Sequence, residues 1–321
     1  MRAWIKYLVT FAVVTIVGSM AILLFEVRIT GCSGYGYGSD VYLGQCASKA
    51  YGDYEHGVFG LQIDKRAIDS LERAELVILG HSHAMVGFST LPTRQFFDGR
   101  RIRFYNASVS GEYGRFFDFV LSRLHLNAKV MVIDVAPFFA GDLMSAAGKF
   151  IVENPNRAMI EYRLKQLWQT IHKYSCLARR PIEGWLCGTV FSTFRSAIDG
   201  GLIADYTLVY GSPLSSRPVT RTAHPPAENE LRIKLAEQFF ARHRLNPGCT
   251  ILTAVPTGDD FSDSAKAIAD ALHANYINPS IDGLTLIDAA HLDVRSATAW
   301  SRQFWIESEP IIERCLERAR H

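Results

Sequence analysis

The chain has 321 residues, of which 48% are hydrophobic and 21% are charged, a balance typical of globular proteins. Lys and Arg number 34 and Asp and Glu number 32, so the formal net charge is only +2. Charges of both signs are interspersed along the chain, which argues against the basic surface of a nucleic-acid-binding protein. The length favours a single large domain with a small additional segment.

An apolar segment near the N-terminus predicts a membrane-spanning helix. Residues 7–25 are 19 residues without a charge, and a helix that crosses a bilayer needs about 20. Arg2 and Lys6 precede the segment and favour a cytoplasmic N-terminus, with the rest of the chain outside. We therefore predict an anchor over residues 1–28. A cleaved signal peptide is the alternative, although its apolar region is usually about 7–15 residues long.

The six cysteines all follow this segment, and none has the spacing of metal ligands: Cys32, Cys46, Cys176, Cys187, Cys249 and Cys315. An even number of cysteines in an exported domain predicts disulfides. Short loops favour pairing of the first with the second and of the third with the fourth, which leaves Cys249 to pair with Cys315. Several free, buried thiols are the alternative.

Residues 29–60 are rich in Gly, Tyr and Ser and predict a loop or stalk. Residues 64–74 have the mixed polar and apolar spacing of a helix.

Five short apolar runs with helical stretches between them follow. The runs are residues 76–79, 103–107, 129–135, 250–255 and 284–287, and the helical stretches are residues 112–126, 228–245, 262–274 and 295–319. Short apolar runs of this kind are typical of buried parallel strands. Their alternation with helices predicts an α/β fold with a doubly wound, mostly parallel five-stranded sheet. Ligands of such sheets bind beyond the carboxyl ends of the strands.

Residues 140–225 interrupt the alternation and are too many for a simple crossover. They contain a helical stretch at residues 157–174 and a Pro-rich segment. We predict a helical insertion that caps or shapes the site, with a separate binding subdomain as the alternative.

The first predicted strand is followed by Gly80, His81 and Ser82. Glycine allows a sharp turn, and the serine hydroxyl would then lie in the crevice, near the unpaired amides of the next helix. That position suits a nucleophile whose reaction develops an oxyanion. A simple helix N-cap is the alternative role for Ser82.

Asp288 and His291 follow the fifth predicted strand. Three residues apart, they can meet across one turn, so that the carboxylate orients the imidazole and leaves its other nitrogen free to deprotonate a serine. Because parallel strands share their carboxyl edge, we expect this pair to face the same crevice as Ser82. Solvated loop residues are the alternative.

Gly111 lies in the loop after the second predicted strand. A glycine there allows the main chain to approach a substrate oxygen closely and to donate its N–H to an oxyanion. An ordinary turn glycine is the alternative.

Together these clusters resemble the SGNH, or GDSL-type, hydrolase superfamily. Residues 76–82 resemble its first block, with Ser82 as nucleophile, and Gly111 resembles its second-block oxyanion donor. Residues 287–293 are similar to its last block, Asp-x-x-His followed by an apolar residue. The resemblance implies an SGNH- or flavodoxin-like catalytic domain over residues 61–321, and no cofactor.

The sequence departs from that family in two places. Residues 134–139, after the third strand, lack the asparagine that completes the oxyanion hole in many members, and Asn106 is our candidate for a replacement donor. His81 stands where many members have Asp. His81 and His83 are candidates to contact substrate. An exposed loop histidine is the alternative for His83, and a metal site shared with His291 is a further alternative.

Five aromatic residues near the predicted site form either a sugar-stacking wall or part of the core: Tyr113, Phe116, Phe117, Phe138 and Phe139. Their spacing is more typical of core residues.

The predicted anchor, the Ser-His pair and the aromatic-rich end of the third strand resemble a membrane-anchored branch that modifies bacterial cell-surface polymers. That branch includes polysaccharide O-acetylation proteins and the D-alanylation proteins of teichoic acids. The resemblance implies an inner-membrane protein facing the periplasm that transfers or removes an acyl ester on a glycan hydroxyl. Its partners would be the glycan, an acyl donor and a polytopic membrane acyltransferase.

Two other functions fit the same residues. A non-catalytic assembly subunit of an exopolysaccharide machine would retain the SGNH fold, and the missing asparagine favours it. A lipid esterase held at the membrane is the third interpretation.

Overall fold

The structure is a computed structural model of the chain. It describes residues 2–24, 29–31, 40–46, 54–141, 143–177, 187–189, 192–203, 217–219, 222–223, 228–288 and 290–319.

Within these residues the elements are, in chain order, α1 (Arg2–Leu24), β1 (Ile29–Gly31), β2 (Val41–Cys46), α2 (Glu55–Gly60), α3 (Lys65–Arg73), β3 (Leu76–Leu79), α4 (Ser82–Phe88), α5 (Leu91–Arg100), β4 (Phe104–Asn106), α6 (Gly114–Leu121), β5 (Val130–Asp134), α7 (Val135–Phe138), α8 (Ala146–Glu153), α9 (Pro155–Leu177), β6 (Cys187–Thr189), β7 (Ser192–Ser196), β8 (Leu202–Ile203), β9 (Arg217–Pro218), β10 (Thr222–Ala223), α10 (Asn229–His243), a 3-10 turn (Pro247–Cys249), β11 (Thr250–Thr253), β12 (Asp259–Asp260), α11 (Ser262–Leu272), β13 (Asn275–Tyr276), β14 (Thr285–Leu286) and α12 (Val294–Arg318).

A parallel five-stranded sheet forms the centre of the fold, in the order β4-β3-β5-β11-β13. Numbered along the chain, its strands run 2-1-3-4-5, which is the flavodoxin-like order. The chain crosses from β3 to β4 on one side and then to β5 on the other. The crevice of such a sheet opens between the first and third strands, which are β3 and β5 here. The α/β fold with a parallel five-stranded sheet is therefore confirmed.

The prediction of the fifth strand of the sheet is wrong. Residues 284–287 contribute β14, which pairs antiparallel with β9 outside the central sheet. The fifth strand is β13 instead, a two-residue edge strand beside β11. Leu284 and Leu286 are buried against the aromatic cluster of α12, so their apolar character reflects helix packing and not membership of the sheet.

Helices cover both faces of the central sheet, as a doubly wound fold requires. Alternate strand residues point to opposite faces, and the residues of each face join a separate hydrophobic cluster. One cluster packs the sheet against α3, α6, α10 and α11, and the other packs it against α4, α5 and α12. Trp300, Phe304 and Trp305 of α12 are almost fully buried in the second cluster. Both faces of β3 and β5 are therefore closed to solvent, and the strand ends are left to form a site.

The predicted N-terminal helix is present as α1. Over the part of the chain that the structure describes, no helix combines the length and the apolar character needed to cross a membrane. The membrane-spanning role predicted for residues 7–25 is not confirmed.

The segment predicted as a loop or stalk contains regular structure. Strand β2 pairs antiparallel with β7, and β8 completes a three-stranded sheet. Helix α2 is buried along its whole length. Since β7 and β8 come from the insertion at residues 140–225, the two segments fold together. The insertion holds α9 over the predicted helical stretch, and also helix α8 and strands that the sequence did not reveal.

A disulfide joins Cys249 to Cys315, as predicted. It ties the start of β11 to the last turns of α12. The other two predicted pairs involve side chains outside the described residues.

Candidate active site

The turn that carries Ser82, the predicted nucleophile, follows β3 directly, and we call it the nucleophile turn. A Cβ on Gly80 would lie 2.8 Å from the Cβ atoms of both Ala84 and Asp134, so only glycine fits between β5 and the start of α4. His81 is the N-cap of α4 and Ser82 is its first residue. Ser82 is only 5% exposed, so its hydroxyl lies in the crevice and not on the open surface. The turn expected at Gly80 is present, but it is the close approach of β5 that requires glycine.

The loop that holds Asp288 and His291 is fixed by hydrogen bonds at both of its ends. Leu286 and Leu292 form an isolated antiparallel bridge, and the Ile287 N–H donates to the His291 carbonyl at 2.8 Å. Asp293 then caps α12 by accepting from the Ser296 N–H. The loop is therefore held by α12 and β14, and not by the central sheet as we expected.

Ser82, His291 and Asp288 form a continuous hydrogen-bonded chain. His291 Nε2 lies 2.7 Å from Ser82 Oγ, and His291 Nδ1 lies 2.8 Å from Asp288 Oδ2. The side chains of His291 and Asp288 are 21% and 30% exposed, so one side of the group is open to a substrate. The structure thus brings together the three residues that the sequence predicted as nucleophile, base and orienting acid.

Asp288 is held as a carboxylate. Partial burial by itself would raise its pKa, but a hydrogen bond from His291 and the N–H groups of Ala290 and His291 hold that pKa well below its usual value. Both N–H groups donate to Asp288 Oδ1 at 2.7 Å. An ionised carboxylate only accepts hydrogen bonds, so the proton between the two side chains is on His291 Nδ1. The Nε2 lone pair then faces the serine, as a general base requires.

The two histidines that flank Ser82 in the chain lie close to Ser82 or to His291. His81 Nδ1 lies 2.8 Å from Ser82 Oγ, and the ring centroids of His83 and His291 are 5.5 Å apart. The Nδ1–H of His83 donates to the Ala136 carbonyl at 3.3 Å. Burial and the neighbouring imidazoles lower the pKa of His81 to about 4 and that of His83 to about 3. Both rings are therefore neutral near pH 7.

Gly111 lies on a loop attached to the nucleophile turn. Val109 N–H donates to the Gly80 carbonyl at 3.0 Å, and Gly111 follows two residues later with φ +74°, a conformation that favours glycine. Its part in an oxyanion hole stays a prediction.

The side chain of Asn106, our candidate for the replacement oxyanion donor, is hydrogen-bonded within the fold. It is fully buried, and its side-chain amide donates to the carbonyls of Ala84 and Met85 at 3.3 and 3.4 Å. Its Oδ1 accepts the Ser108 N–H at 3.2 Å. The amide that would replace the missing donor is thus already used to hold α4 against the loop after β4.

A buried ion pair that the sequence analysis missed holds this loop. Arg195 donates to Glu55 at 3.1 Å, to the Ser108 carbonyl at 2.6 Å and to the Asn106 carbonyl. Glu55 in turn accepts the Ser110 N–H at 2.8 Å. Both ionic side chains are at most 1% exposed. Glu55 lies in α2 and Arg195 lies in β7. The segment predicted as a stalk and the insertion therefore together fix the loop that carries Gly111.

A second buried contact fixes the other end of the loop. Glu112 is fully buried; its carboxylate lies 2.6 Å from His56 Nε2 and accepts from the Ser145 hydroxyl. His56 belongs to α2, and Ser145 is the N-cap of α8. The insertion therefore contacts the loop that carries Gly111 through Ser145.

Four of the five aromatic residues near the site are core residues. Phe116, Phe117, Phe138 and Phe139 are at most 2% exposed and pack in the hydrophobic cluster with α10 and α11. Tyr113 is the exception, because it is partly buried with its ring edge-on to His81 at 6.1 Å. Only Tyr113 of this group is placed to touch a substrate.

Asp134 is a buried acid beneath the nucleophile turn. Its Oδ1 accepts the N–H groups of Val255 at 3.1 Å and Ala136 at 3.4 Å, and among the described residues Oδ2 has no partner. Burial raises its pKa to about 8, partly offset by these two hydrogen bonds. Asp134 is therefore a neutral carboxyl group at pH 7 where β3 and β5 meet.

No group of three His, Cys, Asp or Glu side chains in the described residues is arranged to hold a metal ion. Compared with known protein families, curated proteins and solved structures, the chain has no significant match.

Asp134→Asn should change how stability depends on pH. Between pH 4 and 8 the folded chain keeps a proton on Asp134 that the unfolded chain has lost, so the free energy of unfolding falls as the pH rises. Asparagine has no such proton. As the pH rises from 6 to 8, we expect the free energy of unfolding of the variant to increase by about 2 kcal/mol relative to that of the parent. Urea unfolding at each pH measures this difference. Asp282→Asn, which removes an exposed carboxylate, is the control. A parallel pH dependence of Asp134→Asn and parent would contradict this assignment.

Arg195→Met should destabilise the fold by about 3–5 kcal/mol, because it leaves the Glu55 carboxylate buried without its guanidinium. Adding Glu55→Gln removes that charge and should restore part of the loss. Urea unfolding of the two single variants and the double variant measures the coupling. Arg66→Met, which breaks an exposed pair with Asp64, should cost less than about 1 kcal/mol. Additive losses for Arg195 and Glu55 would show that the pair does not act as a unit.

Proposed function

We propose that this chain is an SGNH-type serine acyltransferase or esterase that acts on an acyl ester of a cell-surface glycan. The observation that supports the proposal is the continuous chain from Ser82 Oγ through His291 to Asp288, with contacts of 2.7 and 2.8 Å. A buried hydroxyl, an imidazole with a free nitrogen and an ionised carboxylate are the parts that serine acyl transfer needs. The switch-point position of Ser82 and the block pattern of residues 76–82 and 287–293 also favour it.

In the proposed reaction His291 Nε2 takes the proton of Ser82 as Oγ attacks the acyl carbonyl. Asp288 stabilises the imidazolium that forms, and the amides of Ser82 and Gly111 hold the oxyanion. Collapse expels the leaving oxygen, which takes the proton from His291 and leaves an acyl-serine. A glycan hydroxyl, deprotonated by His291, then attacks the acyl carbon, and the bond to Ser82 Oγ breaks as Oγ takes the proton back from His291. Water in its place gives an esterase, since both outcomes use the same groups.

The substrate and setting are proposed from the sequence resemblance alone. They comprise the glycan, the acyl donor, the inner membrane, the periplasmic location of the domain and a polytopic acyltransferase as partner. The predicted anchor favours transfer over hydrolysis, because a membrane partner can deliver the acyl group across the bilayer.

A non-catalytic assembly subunit is the second candidate. The observation in its favour is that residues 134–139 contain no asparagine and that the amide of Asn106 is used within the fold. Removal of one oxyanion donor costs enzymes about 10²–10³ in kcat, so this candidate predicts little or no acyl transfer.

Ser82 should become acetylated when the full-length protein is mixed with 4-nitrophenyl acetate. Peptide mass spectrometry locates the acetyl group, and nitrophenolate release gives the rate. We expect no acetyl group at this position in Ser82→Ala and a loss on the order of 10⁴ in rate for Asp288→Asn and His291→Ala, since the serine then lacks an oriented base.

Ser122→Ala and His125→Ala, which change an exposed hydroxyl and an exposed imidazole, should react like the parent. Absence of acetyl-Ser82 in folded protein would favour the assembly subunit. Acetylation that persists in His291→Ala would contradict the role of His291 as base.

A further inference from the structure

Ser82 Oγ has two imidazole neighbours but only one proton. His291 Nε2 lies 2.7 Å from it and His81 Nδ1 lies 2.8 Å from it. Each contact is short enough to be a hydrogen bond, and each therefore needs a proton between its two atoms. The serine hydroxyl supplies one proton, so the second must come from one of the two rings.

The protons can be assigned from the partners of each ring. His291 Nδ1 faces the Asp288 carboxylate at 2.8 Å and carries a proton there, so its Nε2 accepts the proton of Ser82. The remaining contact is satisfied only if His81 Nδ1–H donates to Ser82 Oγ. His81 is thus a neutral imidazole with its proton on Nδ1, and its low pKa of about 4 agrees with a single proton on the ring near pH 7.

His81 is not a second base for this serine. In the described part of the chain no carboxylate is hydrogen-bonded to the His81 ring, in contrast to His291. A nitrogen that already carries a proton also cannot take one from Ser82. What His81 offers to the reaction is an N–H donor at the attacking oxygen.

We infer that His81 is a catalytic residue whose Nδ1–H donates a hydrogen bond to the oxyanion formed when Ser82 attacks the acyl carbonyl. This inference rests on the proposed function. The oxyanion and Oγ are bonded to the same carbon in the tetrahedral intermediate, so the oxyanion forms within reach of a donor that lies 2.8 Å from Oγ. In this role His81 supplies the side-chain donor that neither residues 134–139 nor Asn106 supplies.

The step balances without a further reactant. The Oγ proton moves to His291 Nε2 while an Oγ lone pair forms the bond to the acyl carbon, and the carbonyl π pair moves to its oxygen. His81 keeps its proton and moves its hydrogen bond from Oγ to that oxygen. On collapse the pair returns to the carbonyl, the leaving oxygen departs with the proton from His291, and His81 again faces Oγ. A neutral donor suits this cycle because its hydrogen bond stabilises the oxyanion while the proton stays on the imidazole.

The surroundings of His81 favour a fixed ring. It caps α4 with extended backbone angles, and its ring lies 5.0 Å from His83 and 6.1 Å from Tyr113. The donor is therefore already beside Ser82 before the charge develops.

Two variants distinguish the contribution of the His81 N–H group from that of its ring. His81→Phe keeps a ring that packs against Tyr113 and His83 but has no N–H. His81→Asn places an amide N–H near the position of Nδ1. We expect the rate constant for acetylation of Ser82 by 4-nitrophenyl acetate to fall about 10²–10³-fold in His81→Phe. His81→Asn should recover at least about tenfold of that loss, as a partial replacement for one donor.

A readout of the oxyanion itself excludes a purely structural role. A trifluoromethyl ketone adds to the serine and forms a tetrahedral oxyanion, so its affinity should fall in His81→Phe by about the same factor as the rate constant. The KM for the ester should change little, because the ground-state ester carries no such charge. Thermal unfolding of the full-length variants shows whether each one is folded.

The outcomes are distinguishable. Acetylation in His81→Phe within about threefold of the parent would overturn the inference and leave the proposed function standing. Equal loss in folded His81→Asn and His81→Phe would also overturn it, since a donor would then not be what the site needs. Failure of the parent protein to form acetyl-Ser82 would instead reject the proposed function, and the inference with it.

Discussion

Strands β3 and β5 pair over four residue positions and are buried on both faces, which sets where the chain must turn at Gly80 and at Asp134. At the carboxyl end of this pair the two backbones approach so closely that a Cβ on Gly80 would lie 2.8 Å from that of Asp134. This constraint aims Ser82 into the crevice. The later elements then supply the rest of the site, because α12 and β14 hold the loop that brings His291 within 2.7 Å of Ser82.

Most of the central sheet could be predicted from the sequence because its strands lie in the core. Four apolar runs are strands with both faces covered, and their pattern follows directly from burial. The fifth strand could not be found in this way. Asn275 and Tyr276 form a two-residue edge strand with both side chains only partly buried, so no apolar run marks it. Residues 284–287 had the expected apolar pattern for another reason, which is packing against α12.

The candidate catalytic residues were predictable because local motifs place them, whereas the residues that support them were not. Asp288 and His291 interact within one loop, so a spacing of three residues is a sufficient signal. Arg195 and Glu55 are 140 residues apart and meet only in the folded chain. Buried charges have no periodicity, and the segments around both residues resemble loops in composition. The same limit applies to Asn106, since only the structure shows that its amide is already hydrogen-bonded to α4.

The central claim is that the fold activates Ser82, and the most direct test compares the same serine in the folded and the unfolded chain. Full-length protein is treated with a fluorophosphonate, with and without urea, and the labelled peptide is quantified by mass spectrometry over time. The account predicts stoichiometric labelling of Ser82 in the folded protein at a rate many times that in urea, where His291 no longer faces the hydroxyl. Labelling of Ser82 that is no faster in the folded chain than in the unfolded one would contradict it.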